Sequence, residues 1–387
     1  MIEQKWMAAR PEDIGIDSER LEDVFARAKR EVDDGIVPSA QVAVARHGRI
    51  AGLRTVGSAV QGGIEKAATD ETLYTIFSCT KAVVAAAVWL LLEEGQLRLD
   101  ERVAEIIPEF GTNGKDAITV EQVLLHAGGF PLAPYHPDGW NDRAKRLEAF
   151  AYWRLTYEPG TKFEYHATSA HWVLVEIIER RTGQDFREFI RERITGPIGL
   201  NELFVGLPPE YDERVADVCY TGEIIEPPDG FGEVTPEATL RFNQPDIRRA
   251  GCPGGGGIAG AGELALFYQT LVNGGQNAEG ARILKPETIE LARQVRTKGL
   301  VDRLGVPVLR GLSLVIAGDD GKSNLRGFGK VVSGSAFGHG GAGGQIGWGD
   351  PESGISIGYC TNGFTDYMTI GRRMTAISST AADCAID

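Results

Sequence analysis

The chain has 387 residues, 42% hydrophobic and 24% charged, enough to bury a large core in one domain or two. Its 54 acidic against 40 basic residues give a net charge of −14, which argues against nucleic acid and anionic membranes as partners. Five scattered cysteines (Cys79, Cys219, Cys252, Cys360, Cys384) show no zinc spacing, and Met1 to Ile16 has no apolar stretch of signal-peptide length, so a reduced, cytoplasmic setting is expected.

In chain order, helical spacing runs from Ser18 to Asp34 and ends at Gly35. Ala40 to Ala45 and Ile50 to Val56 flank His47-Gly48 and read as a β-hairpin. Ala82 to Leu92 is apolar on every face, which predicts a helix buried all round and too short to span a bilayer. From Leu99 to Arg248 the chain is loop-rich, with helical segments at Thr119 to Leu125 and at Ser169 to Thr182, the latter closed by Gly183. Pro227-Pro228-Asp229-Gly230 marks an exposed loop. Helical pattern returns at Gly262 to Val272, before Gly274-Gly275. Strand-like alternation follows at Gly311 to Ile316, Gly344 to Gly349 and Ile355 to Cys360, with Asp350 to Gly354 as the turn between the last two. A final helix is predicted from Asp366 to Ala382. Strands, then helices, then strands predict an α+β fold. Its antiparallel sheet, flanked by helices, comes from both chain ends (1–100 with 255–387), and a mainly helical domain (101–254) is inserted between.

The most informative residues are Ser78 and Lys81, at the head of the buried helix. Three apart, they share a helical face. Burial makes an ammonium group costly and favours a neutral amine, and a hydroxyl beside such an amine is how Ser-x-x-Lys hydrolases activate their nucleophile. Other motif matches are decoys. Gly255-x-Gly257-x-x-Gly260 has no strand before it, and Gly338-x-Gly340-x-x-Gly343 runs on into strand, so neither fits a dinucleotide fingerprint. Gly354-Ile355-Ser356-Ile357-Gly358 has the letters of a nucleophile elbow, but Ser356 lies within an alternating strand and no histidine follows His339.

Two further positions complement Ser78. Tyr165, in a turn before a helix, offers a phenol that can pass a proton to or from a leaving group. His339-Gly340-Gly341 opens a strand against whose edge a substrate can lie, and backbone N–H groups there and at Ser78 are candidates for an oxyanion hole. The order Ser78-x-x-Lys81, Tyr165, His339-Gly340-Gly341 resembles the serine β-lactamase and penicillin-binding-protein superfamily, and within it the class C β-lactamase-like esterases, the family VIII carboxylesterases. Supporting segments spread from Ile14 to Asn362: Gly95-Gln96-Leu97-Arg98-Leu99-Asp100, Ile118 to His126, Pro159-Gly160-Thr161, Pro253-Gly254-Gly255-Gly256 and Phe337-Gly338-His339.

The resemblance implies that Ser78 is the acylated nucleophile and that Lys81 takes or holds its proton. Tyr165 would be general base or acid, and the N–H groups of Ser78 and Ala342 the oxyanion hole. It implies a two-step acyl-enzyme cycle with no metal and no cofactor. Two departures bear on substrate. Ala167 stands where the family's Tyr-x-Asn motif has an amide, and His339 stands where β-lactamases carry a lysine that helps hold a carboxylate; histidine is mostly neutral at pH 7. Both weaken recognition of an anionic lactam or peptide and are tolerable for a neutral ester. The expected activity is therefore a serine carboxylesterase on short-chain or aryl esters, with possible acyl transfer; the partner is a small-molecule ester. A β-lactamase, D-amino-acid peptidase or amidase of the same fold is the first alternative, and a catalytically silent binding protein the second. Tyr135, in the loop to Trp140, is a candidate for the acyl pocket, and Trp348 reads equally as pocket wall or sheet packing. His126 reads as structural, in a helix-ending turn.

Overall fold

The computed structural model describes residues 2–223 and 234–386; the Pro227-Pro228-Asp229-Gly230 stretch lies outside them. The hairpin forms as β1 (Ser39–Arg46) and β2 (Arg49–Gln61). Its two turn residues, His47 and Gly48, both take positive φ (52° and 76°), the geometry that suits a tight hairpin. Strand β3 (Ile64–Ala67) extends it; this strand is exposed throughout and carries no alternation that would have betrayed it. Two short strands follow, β4 (Tyr74–Thr75) and β5 (Phe204–Val205), then β6 (Cys219–Tyr220) and β7 (Gly257–Ala259). The C-terminal strands are β8 (Val315–Ile316), β9 (Phe337–Gly340), β10 (Ile346–Gly349), β11 (Ile355–Thr361) and β12 (Gly363–Phe364).

The main sheet runs β3-β2-β1-β11-β10-β9-β8, antiparallel at every step. The first strand thus pairs with a strand from the other end of the chain, Val42 opposite Tyr359 and Val44 opposite Ile357. Of Gly311 to Ile316 only the last two residues pair as strand, because Ser313 turns the chain at φ 60° and donates its N–H to Leu124 O.

Alternation along β1 divides the cores. Val42 and Val44 face helices α1 (Ser18–Asp33) and, at the far end of the chain, the helix Tyr367–Ala382; Ala43 and Ala45 belong to the larger core on the opposite face. Asp17 and Asp366 cap those two outer helices through their carboxylates. Helix α2 (Thr80–Glu93) is buried from Thr80 to Leu91, as its uniformly apolar sequence requires. The helical region holds α3 (Val103–Ile106), α4 (Val120–Leu124), α5 (Arg143–Tyr152), α6 (Ser169–Thr182), α7 (Phe186–Ile190), α8 (Pro236–Leu240) and α9 (Pro245–Ala250). Then come α10 (Ala261–Val272), α11 (Pro286–Arg293) and the outer C-terminal α12 (Tyr367–Ala382).

A second sheet, β4-β7-β5, ties the helical region to the nucleophile segment. The larger apolar core runs from Trp6 to Phe364 across positions 100 and 255, so the two regions differ in secondary structure yet share a core.

Candidate active site

Ser78 lies in a single turn, Phe77–Cys79, that leads directly into α2. Phe77 adopts φ 44°, a left-handed conformation that costs a bulky residue roughly 1–2 kcal/mol. Several contacts hold it there. Thr80 Oγ1 donates to Phe77 O at 2.5 Å and accepts Gly257 N–H at 2.8 Å. Ile76 N–H donates to Gly257 O at 2.9 Å. The Phe77 ring stands edge-on to Phe242 and Phe364, with centroids 5.3 and 5.0 Å away. Cys79 Sγ donates to His339 O at 3.2 Å, which fastens the turn to β9.

Lys81 is the second residue of α2, one helical turn past Ser78, and is fully buried. Its Nζ lies 3.2 Å from Ser78 Oγ and donates to Ala167 O at 2.6 Å and Gly254 O at 2.5 Å. Those carbonyls come from two separate segments that approach closely because residue 254 lacks a side chain. A Cβ there would stand 2.6 Å from Ala167 O and 2.9 Å from Thr168 Cα. Sequence reading missed both carbonyls: backbone acceptors leave no mark in residue identity, although Gly254 and Ala167 both lie in or beside recognised segments.

Tyr165 comes to the same place. Lys81 Nζ is 4.9 Å from the centroid of its ring. Its hydroxyl is buried and has no hydrogen-bond partner among the described residues, so it is free to exchange a proton with a bound substrate. His126 packs on the Tyr165 ring at 4.7 Å, closer to the chemistry than a structural turn residue need be. His126 Nδ1 accepts His166 N–H at 3.2 Å, which puts the His126 proton on Nε2. Burial, first, holds His126 and His171 well below the usual imidazole range and brings His166 down to about 4, so all three are neutral.

His339, on β9, is also buried. Burial, then the nearby Arg310 charge, holds it well below its ordinary range. Its Nδ1 bonds Gly340 O at 2.8 Å, which leaves Nε2 as the acceptor facing Arg310 NH1 at 3.4 Å. A Cβ on Gly341 would stand 2.8 Å from Ile76 O, so this strand end abuts the nucleophile turn. In the next loop Gly341 and Gly343 donate to Gln345 O and Gln345 Oε1, and Gly344 to Gly341 O. Ala342 N–H is left without an acceptor among the described residues.

Tyr135 is half-buried, and its hydroxyl is held within its own loop by Gly139 O and by Asp142 O. Its ring meets Trp172 at 5.0 Å, and Trp140 joins Trp172 to Phe242 and so to Phe77. Trp348 is not pocket wall. It is buried on the face covered by α1 and α12, and its Nε1 donates to Ser378 Oγ at 3.0 Å; alternation along β10 turns it away from the Ser78 side. Ser356 is a strand serine, its Oγ donating to Ala265 O at 2.8 Å. Arg310 was also missed. Its guanidinium stacks on Phe163 and Tyr165 at 5.1 and 5.3 Å, and the one available signal was that it is the sole charge in the apolar stretch Val306 to Ile316.

Among the described residues no three His, Cys, Asp or Glu side chains are placed to hold a metal, and no helix is long and apolar enough to cross a membrane. The sequence and the fold resemble those of known proteins. The Esterase/beta-lactamase LipL of Mycobacterium tuberculosis is 31% identical over 309 residues, 74% of this chain and 68% of that protein. A penicillin-binding protein homologue from Caulobacter crescentus superposes with a TM-score of 0.78 at 28% identity, covering 95% of this chain and 99% of that one. A family VIII carboxylesterase superposes with a TM-score of 0.78 at 25% identity, again covering 95% and 99%. The profile of the Beta-lactamase family matches residues 24–380. With its antiparallel sheet flanked by helices and this match over most of its length, the chain belongs to the Beta-lactamase family of serine hydrolases.

Proposed function

We propose that the protein is a serine carboxylesterase that cleaves short-chain or aryl carboxylic esters through an acyl-enzyme on Ser78, with acyl transfer to alcohols as a side activity. The observation that carries this reading is the clamp on Lys81. Its Nζ donates to Ala167 O and Gly254 O at 2.6 and 2.5 Å, and these two carbonyls hold it 3.2 Å from Ser78 Oγ, within reach of the nucleophile's proton. In the first step the hydroxyl proton passes to Lys81 as Oγ bonds to the ester carbonyl carbon. The N–H groups of Ser78 and Ala342 receive the developing oxyanion at the N-terminus of α2. Collapse breaks the bond to the alcohol oxygen, which takes a proton from the Tyr165 hydroxyl, itself resupplied from Lys81. Water then attacks the acyl-enzyme by the same route in reverse and releases the acid. The cycle uses neither metal nor cofactor.

The methyl side chain of Ala167, which offers no amide-recognising group, and the neutral His339, which holds no carboxylate by charge, support a neutral ester over an anionic lactam or peptide. The alternative, a peptidase or β-lactamase activity, is favoured by the likeness to a penicillin-binding protein homologue. Hydrolysis of 4-nitrophenyl butyrate and of a chromogenic cephalosporin, by wild type and by Ser78→Ala, separates the readings. Rapid ester turnover that vanishes with the hydroxyl is the expected result. Ester turnover surviving in Ser78→Ala but lost in Ser356→Ala would overturn the assignment, and cephalosporin turnover matching that of the ester would favour the alternative.

A further inference from the structure

The loop between β9 and β10 that offers Ala342 N–H is held from behind by a charge. Arg373 lies on the inner face of α12, between Ile370 and Ile377, and is fully buried. Its NH2 donates to Gly343 O at 2.5 Å. Among the described residues its Nε and NH1 have no partner, and no carboxylate pairs with the guanidinium. The close approach depends on glycine at 344, where a Cβ would stand 2.6 Å from Arg373 NH2.

The hydrogen bonds of the loop carry this contact forward. Gly343 O and Gly344 N–H belong to one peptide unit, and Gly344 N–H donates to Gly341 O at 2.9 Å. Gly341 O and Ala342 N–H belong to a second unit. Two peptide units thus run in series from the guanidinium to the free N–H, each accepting at its oxygen and donating at its nitrogen. A cation at the accepting end polarises such a chain, and each N–H along it becomes a stronger donor. The remaining peptide of the turn is fixed separately. Gly343 N–H donates to the buried Gln345 Oε1 at 3.0 Å, and Gln345 Nε2 donates to Thr361 O at 2.8 Å. Ala342 N–H therefore ends the series in a turn whose other donors are all taken.

We propose that Arg373 is a positioning residue for the oxyanion hole, aiming and polarising Ala342 N–H through two peptide units from the helix on the opposite face of the sheet. The charge never touches the substrate. A guanidinium suits this task because it stays protonated across the working range of an enzyme, so the donor does not weaken as pH rises. This inference rests on the reading of Ala342 N–H as an oxyanion donor in Ser78-dependent hydrolysis, and the test separates failure of the two.

Arg373→Met removes the charge and keeps most of the length. With 4-nitrophenyl butyrate its kcat should fall about tenfold, short of the roughly hundredfold or more lost when an oxyanion donor is removed outright. KM should stay within about twofold, because acylation and deacylation use the same hole. The deciding readout is inhibition by butyl trifluoromethyl ketone. Ser78 Oγ adds to its carbonyl carbon as the hydroxyl proton passes to Lys81, which leaves a negative oxygen in the hole. The inhibition constant should rise in step with the loss of kcat. Arg373→Lys should recover part of both. A purely structural role would lower kcat through loss of folded enzyme and leave the inhibition constant unchanged; that result, or wild-type values of both, overturns the proposal. If Arg373→Met does not fold, Gly344→Ala decides, since its Cβ pushes the guanidinium off Gly343 O. A weakened ketone supports the proposal and a wild-type inhibition constant refutes it. Failure of both variants to fold makes the contact structural and refutes it as well. Absence of Ser78-dependent ester turnover in the wild type overturns the esterase reading instead. Cephalosporin turnover then serves as the kcat assay beside the same ketone, and a wild type inactive on both substrates overturns the inference together with that reading.

Discussion

Placing a methyl group on Gly254 tests the proposed activation of Ser78 without touching Ser78, Lys81 or Tyr165. The new Cβ would sit 2.6 Å from Ala167 O and 2.9 Å from Thr168 Cα, against an ordinary carbon–oxygen contact of about 3.4 Å or more. The 165–169 segment and the 252–257 loop must therefore part by roughly half an ångström or more, and with them the two carbonyls that hold Lys81 Nζ. Overpacking of this kind costs about 1–3 kcal/mol. At about 2.1 cal/mol/K per residue of unfolding entropy, a chain of this size should lose only about 1–4 °C in Tm. Catalysis should suffer far more, because displacement of a proton acceptor by a fraction of an ångström to an ångström lowers turnover by about tenfold to a hundredfold. The assay is kcat for 4-nitrophenyl butyrate alongside a thermal melt. Gly255→Ala is the control: the nearest atoms to its Cβ are Phe77 C and Cα, both at 3.9 Å, so kcat should stay close to wild type. A Gly254→Ala enzyme with wild-type kcat and a wild-type melt would refute the claim that this close approach positions Lys81.

Two further outcomes follow from groups remote from the nucleophile. Burial raises Glu263 to about 8, while Glu202 N–H bonds to its two oxygens at 3.1 and 3.0 Å. A carboxyl raised in the folded state stabilises the protein fully below its unfolded value near 4.5 and loses that contribution as pH rises through 8, a change on the order of 4 kcal/mol. Melts of wild type and Glu263→Gln between pH 5 and pH 8.5 should therefore converge or cross, the wild type falling faster with rising pH; parallel curves would count against the buried, protonated carboxyl. Trp348→Phe should cost about 1–3 kcal/mol in denaturant unfolding through lost volume and the lost bond to Ser378, yet leave kcat/KM for 4-nitrophenyl butyrate unchanged. A shift in that value would put Trp348 back at the pocket.

The sequence alone determined the parts of this protein that depend on neighbours along the chain. Ser169–Thr182 and its Gly183 stop, the His47-Gly48 hairpin and the apolar α2 were all legible, because caps, positive-φ turns and hydrophobic period are local properties. The spacing of Ser78 and Lys81 was legible for the same reason. Tertiary structure alone decided what surrounds them. The acceptors on Lys81 are backbone oxygens of residues 167 and 254, which residue identity does not mark as acceptors, and the need for glycine at 254 gains its meaning only once the fold brings that loop against Ala167. Trp348 could be placed only once β10 had a register, since one step along a strand exchanges core for site. Arg310 stands 145 positions after the ring it stacks on, and its charge gained meaning only when the fold brought it to Tyr165 and His339 with no carboxylate alongside among the described residues. Local chemistry writes elements and motifs into a sequence; the charge balance of a pocket is a sum over distant residues, and only the packed chain performs it.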